Sequence, residues 1–189
     1  MNEILESTIS RIHGSNVKAV LCVSGVGTKA IAWLLEIPGA SNTILEGIIP
    51  YSQSSLINFI GSIPSNAVSE QTSQEMARAS YKRAIKLRAE NSEVIGMGCT
   101  GAISTNRERK GANHAYISIC SQNSISSTHI ELKKGLRNRI EEETIISHAI
   151  LDSISKFLWK ESSITICLES SENINTNHKK RCHKRGCKQ

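Results

Sequence analysis

The sequence predicts an α/β domain in three layers, α/β/α, around a mixed sheet. Three observations predict it. Strand-length apolar runs interleave with segments of helical period from one end of the chain to the other. Two of those runs, 17–24 and 94–100, end in Gly-rich turns. Finally, two alternating segments near 114–132 are joined closely enough to form a hairpin, which makes the sheet mixed rather than purely parallel.

The elements follow in order. Ile4, Leu5, Ile9 and Ile12 fall near helical spacing before Gly14, so residues 2–13 form a short amphipathic helix. Val17 to Val23 reads as a strand buried on both faces. SGVGT then opens a helix that Pro38-Gly39 stops. Thr43 to Ile49 is β-branched and apolar, a second strand ended by Pro50. Ser54 or Ser55 caps a short helix through Ile60. The strongest helix starts after Ser69, a natural N-cap with Glu70 in the first turn. Its apolar face holds Met76, Ala77, Ser80, Ala84 and Leu87, and its last turns are basic. Strands follow at 94–100, 114–121 and 127–132, then a helix from Arg139 to Leu158 and a last strand at 163–168. Past Glu169 the chain is Ser, Asn, Thr and Lys. The expected division is therefore a domain over 1–168 and a disordered basic tail over 169–189.

Composition narrows the function classes. The chain has 189 residues, enough for one sizeable core, and 4% aromatics, so that core is aliphatic. The net charge of +6 comes from the end: residues 177–189 hold six Lys or Arg and no acid. Removing those six from 23 basic residues leaves 17, equal to the 17 acidic ones. Nucleic-acid binding is thus expected only through the tail, where KKRCHKR also fits a nuclear signal. Cys22, Cys99, Cys120 and Cys167 lie in apolar runs and read as buried free thiols. With no leader and no apolar run of membrane length, a reducing, cytoplasmic setting is expected. His114, His129 and His148 are isolated in sequence and read as structural, with no metal site and no cofactor expected in the domain.

Two places can carry chemistry. Ser24, Gly25 and Gly27 stand at a strand end and a helix mouth, where free N–H groups attract anions and a hydroxyl can act as nucleophile. The same glycines also serve an ordinary βα turn. Thr100 and Gly101 end a second strand; if the strands are neighbours, both tips line one edge of the sheet. The spacing is neither a P-loop nor a dinucleotide fingerprint.

In one order the chain carries CVSGVGT around Ser24, PGAS at 38–41, EGIIPYSQSSL with Tyr51, and NAVSEQTSQEMA at 66–77. CTGAIS with Thr100 and GLR at 135–137 complete the set. Over roughly residues 15 to 155 it resembles the CinA C-terminal domain family of nicotinamide-mononucleotide deamidases. It is similar also to eukaryotic CinA-like segments joined to a nucleotidylyltransferase-like domain. The resemblance implies conversion of nicotinamide mononucleotide to nicotinate mononucleotide and ammonia. It implies Ser24 as nucleophile or substrate contact, Thr100 near phosphate or oxyanion, and Arg137 as the neutralising cation. Gly25, Gly27, Tyr51 and Gly101 would bind substrate.

The departures bear on that chemistry. The acid before the family's Ser is Val23 here, the Thr two places after it is Val26, and the Lys five residues after its Tyr is Leu56. Ser104-Thr105 replaces a Gly-Pro, a basic loop over 107–110 follows, and Leu136 replaces an Asp. A hydroxyl without a basic partner is a weak nucleophile. The expectation is a domain with reduced or lost amide hydrolysis that acts as a mononucleotide-binding or self-associating homo-oligomeric module. An active amidohydrolase is the alternative, and a nucleic-acid-associated protein acting through the tail is a third reading.

Overall fold

The computed structural model describes residues 3–89, 92–106, 109–162 and 164–180. Their order is α1 (Glu3–His13), β1 (Val17–Ser24), α2 (Thr28–Glu36), β2 (Ile44–Ile48), α3 (Gln53–Ile60) and α4 (Glu70–Leu87). Then come β3 (Glu93–Ala102), β4 (Asn113–Cys120), β5 (Ser124–Leu132), α5 (Arg139–Trp159) and β6 (Asn173–Lys180). The strands form one sheet in the order β2-β1-β3-β4-β5-β6. β1 runs parallel to β2 and β3, and the other pairs are antiparallel. The mixed sheet expected from the sequence is the one observed.

Burial assigns the helices to two layers. Leu21, Val23, Met97 and Ile117 of the sheet share the main core with Ile9 of α1, Leu34 of α2 and Ile146 and Ile150 of α5. α3 and α4 cover the opposite face over Val20, Cys22 and Cys120. Each fully buried Ile or Leu contributes about 1.5–3 kcal/mol by leaving water. The aliphatic bias of the composition is therefore what closes the two interfaces.

α4 sits unusually close to β3, and two glycines are the reason. A Cβ at Gly96 would lie 2.0 Å from the Tyr81 nitrogen, and one at Gly98 would lie 2.4 Å from the Ser73 oxygen. The Ser80 hydroxyl donates to the Met97 carbonyl at 3.0 Å, and Ser73 and Ser118 share a hydrogen bond at 2.7 Å. Small polar residues fill an interface too thin for larger side chains. Ser69 caps α4 as expected, accepting from the Thr72 N–H at 3.1 Å. α3 is capped by Ser52, two to three residues earlier than expected, through the Ser55 N–H at 3.2 Å.

The C-terminal segment departs from expectation. Residues 164–168 form no strand, and Cys167 is exposed rather than buried. Instead the buried Asp152 of α5 accepts the Ser162 hydroxyl at 2.7 Å and pairs with Lys156 at 2.8 Å, fixing the turn that follows the helix. The chain then adds β6 along the free edge of β5, where disorder was expected. Ile174 lies opposite Ile130, and the Thr176 and Thr128 hydroxyls bond at 2.9 Å. The alternation N-I-N-T-N is that of an edge strand with one face turned to the core, but a lone Ile gives it little apolar signal. Most of the basic run KKRCHKR, from position 181 on, lies outside the described residues, as does Arg107 of the basic loop. No helix among the described residues is long and apolar enough to cross a membrane.

Candidate functional site: the carboxyl rim of the central strands

Ser24 and Thr100 are register partners on adjacent parallel strands, so both stand at one rim of the sheet. The row continues across the sheet: Thr100 faces Tyr116, Tyr116 faces His129, and His129 faces Asn175. Residues directly opposite share a face. This face is the α4 side, because Gly98, two residues before Thr100, lies against α4. The structure thus brings the two expected hydroxyls together and extends them into a five-strand polar row.

Each hydroxyl already has an acceptor. Ser24 Oγ donates to the Pro50 carbonyl at 3.0 Å, and Thr100 Oγ1 donates to the Ala67 carbonyl at 2.7 Å. Thr100 is 2% exposed. Among the described residues no basic side chain bonds Ser24. Leu56, at the position of the resembling family's Lys, is buried against Cys22 and Met76. Tyr51, expected to touch substrate, is 74% exposed.

The N–H groups at the mouth of α2 do hold an anion, but it is an internal one. The Glu143 carboxylate accepts from the Gly27 N–H at 2.9 Å, the Lys29 N–H at 3.2 Å and the Thr28 hydroxyl at 2.9 Å. Orphan donors and the helix dipole make this an anion site. α5 supplies the anion. Lys29 then donates its ammonium to Thr144 at 2.6 Å.

Two more residues of the first turns of α5 reach the rim. Arg139 donates to the carbonyls of Gly25 and Ser104, each at 3.1 Å. Buried Glu142 accepts from the Ser104 N–H at 2.6 Å and from Asn113 at 2.8 Å. Arg109 completes this set by donating to Asn113 at 2.7 Å. The helix start is rigid because Asn138 and Glu141 form a reciprocal capping box. Arg139, Glu142 and Glu143 thus tie two loops of the rim, the β1–α2 turn and the β3–β4 connection, to one helix.

Arg137 is placed elsewhere. It pairs with the buried carboxylate of Glu172 and donates to the Cys167 carbonyl at 3.3 Å. Burial pushes the Glu172 carboxyl up. The Arg137 guanidinium and the N–H groups of Glu169 and Lys133 outweigh that and hold it below the usual carboxylate range. Arg137 therefore fastens the turn before α5 to the segment before β6, and it is Arg139, not Arg137, that reaches the Gly25 carbonyl at the rim. Gly25 and Gly101 let the strand ends touch: a Cβ on Gly25 would sit 2.4 Å from the Gly101 oxygen. A Cβ on Gly101 would sit 2.4 Å from Val26, which is itself buried.

Two of the histidines that look isolated in sequence, His114 and His129, are neighbours in space, while His148 stacks on Trp33 with ring centroids 5.1 Å apart. Tyr116 and His129 stack at 4.4 Å with 9° between their planes, and His114 meets His129 at 5.8 Å edge-on. Burial, then the nearby His129, holds the His114 imidazole below its ordinary pKa. A hairpin register places these rings together; their sequence spacing does not show it.

A mixed α/β domain with two Gly-rich strand ends at one rim defines a class, and comparison with known proteins names it. The CinA C-terminal domain model matches residues 3–158, and the chain belongs to that family. It is 33% identical over 114 residues to a competence-damage inducible protein of Alkaliphilus oremlandii, a match covering 57% of this chain and 26% of that one. It is 25% identical over 158 residues to one of Natranaerobius thermophilus, covering 83% of this chain and 37% of that one. The chain thus spans about a quarter to a third of the length of these relatives. Among solved structures it is similar to the competence/damage inducible protein CihA of Agrobacterium tumefaciens, with a TM-score of 0.66, 18% identity, and 82% and 95% of the two chains covered. A CinA superfamily protein of Klebsiella pneumoniae gives a TM-score of 0.67 at 14% identity, covering 85% and 100%.

Proposed function

We propose that this chain is a CinA-family module that does not hydrolyse amides and works by binding a mononucleotide. The observation that carries the reading is the Ser24 hydroxyl, which donates its hydrogen bond to the Pro50 carbonyl and to no base. A serine nucleophile needs that proton taken by a base, and the tetrahedral oxyanion then needs free donors. Here Glu143 occupies the N–H groups that would supply them, and its negative charge opposes a developing oxyanion. Leu56 offers no ammonium to lower the hydroxyl's pKa. The half-buried Tyr116 and His129 rings next to Thr100 support binding instead: stacked at the rim, they offer planar surface suited to a heteroaromatic base.

The test is incubation of the purified protein with nicotinamide mononucleotide, with ammonia and melting temperature both measured. The expected outcome is no ammonia and a raised melting temperature, since a ligand at 100 times its dissociation constant stabilises the native state by about 2.7 kcal/mol. Ammonia release that Ser24→Ala abolishes would establish the active amidohydrolase in its place.

A further inference from the structure

We propose that the cleft between α3 and α4 is a second ligand site, one that takes a nucleoside polyphosphate. It goes beyond the reading above and does not depend on what Ser24 does. The cleft measures about 680 Å³, within the size range of small-molecule sites. It lies beside the end of β2, with Ile48 and Pro50 among its lining residues.

Its two sides differ in charge: one is basic and the other carries no charge. Arg78, Lys82 and Lys86 line one side at intervals of four residues, so they stack on one face of α4 about 6 Å apart along the axis. Among the described residues neither Lys82 nor Lys86 has a hydrogen-bond or ion-pair partner, and Arg78 gives a single N–H to Gln74 at 3.3 Å. Ala79 between them leaves the space open. Two acids bear on the cleft. Glu46 of β2 pairs with Arg83 and cancels it, and Glu75 accepts from Gln71 at 3.0 Å. The three remaining cations outnumber Glu75, so the α4 side is positive. The facing side, from α3, carries Phe59 and Ile60 with the uncharged polar Ser55 and Asn58 beside them.

A ligand that satisfies both sides is anionic along one end and planar and apolar at the other. Unpaired cations one turn apart suit a chain of phosphates, with the lysine stems flexible enough to converge on it. The Phe59 ring provides a stacking surface for the base. An acidic peptide would meet the cations equally, but it would need a longer groove than a cavity of this volume.

The experiment is calorimetric titration of the full chain with ATP and, separately, with inorganic tripolyphosphate, both without metal, at low and at high salt. The expected result is one ATP per chain, weakened by salt, with tripolyphosphate bound at least tenfold more weakly. Lys82→Glu with Lys86→Glu should weaken both ligands at least tenfold; both side chains are exposed, so the fold is kept, which the melting temperature verifies. Phe59→Leu should weaken ATP and leave tripolyphosphate unchanged, and Ser24→Ala should change neither. Binding unaffected by the double charge reversal overturns the proposal. So does equal affinity for ATP and tripolyphosphate, which means adventitious surface charge, or a polyglutamate peptide that displaces ATP with higher affinity. None of these results alters the ammonia assay, so the two proposals fail separately.

Discussion

Replacing Glu143 tests how the rim is held together. Its carboxylate receives two backbone N–H groups and one hydroxyl at the start of α2, at 2.9 to 3.2 Å. Hydrogen bonds to a charged group contribute about 1.5–3 kcal/mol each, and an anion at a helix N-terminus about 0.3–2 kcal/mol. The sum overstates the loss, because Thr28 is exposed and water can replace part of what Glu143 supplies. Glu143→Ala should therefore destabilise by about 2–3 kcal/mol, a fall in melting temperature of about 4–12 °C for a domain of this size. Urea unfolding followed by circular dichroism gives the free energy directly. The vacated donors should then accept a free anion: inorganic phosphate should stabilise Glu143→Ala more than the wild type. A variant within about 0.5 kcal/mol of wild type, the range of ordinary surface changes, would refute the reasoning.

Further outcomes follow from single contacts. Gly98→Ala places a methyl 2.4 Å from the Ser73 oxygen and 2.5 Å from the Ala77 nitrogen. Backbone cannot yield as a side chain tip can, so the expected loss is about 3 kcal/mol or more, read by urea unfolding. Glu172 has its carboxyl pKa depressed in the folded state. Its contribution is therefore complete above the unfolded pKa of about 4.3 and is lost as pH falls through the lower folded value. Arg137→Ala should remove part of that contribution, shrinking the stability difference between neutral and acid pH in a pH series of melts. Native-state alkylation followed by mass spectrometry should modify Cys167 well before Cys22, Cys99 or Cys120, since only Cys167 of these four is exposed. Burial also pushes the Cys22 and Cys99 thiols far up, so little thiolate forms there.

Most of the fold is legible because each element carries its own punctuation. Ser69 caps α4, Pro38-Gly39 follows the end of α2, and the apolar run from Val17 ends where SGVGT begins. β6 is not legible because an edge strand with a single Ile reads as a polar tail; its order comes from hydrogen bonds to β5 that no local pattern encodes. The rim divides the same way. Register puts Ser24 beside Thr100, as their positions at two strand ends imply. The role of Glu143 depends on a contact 116 residues distant in the chain, so no spacing discloses it. Arg137 and Arg139 differ by two positions, and only the folded position of the start of α5 shows that Arg139 is the one that reaches Gly25. His114 and His129 meet because β4 and β5 pair in one register, and a slip of one residue would separate them.

The reading of Ser24 as a structural hydroxyl can be tested without any assumption about substrate. A fluorophosphonate probe phosphonylates serines activated by a base, and peptide mass spectrometry locates the adduct. With its O–H donated to the Pro50 carbonyl rather than to a base, position 24 should remain unmodified after prolonged exposure, as a surface serine such as Ser62 does. Rapid stoichiometric modification at position 24, prevented by nicotinamide mononucleotide, would contradict the account and restore a nucleophile to the rim.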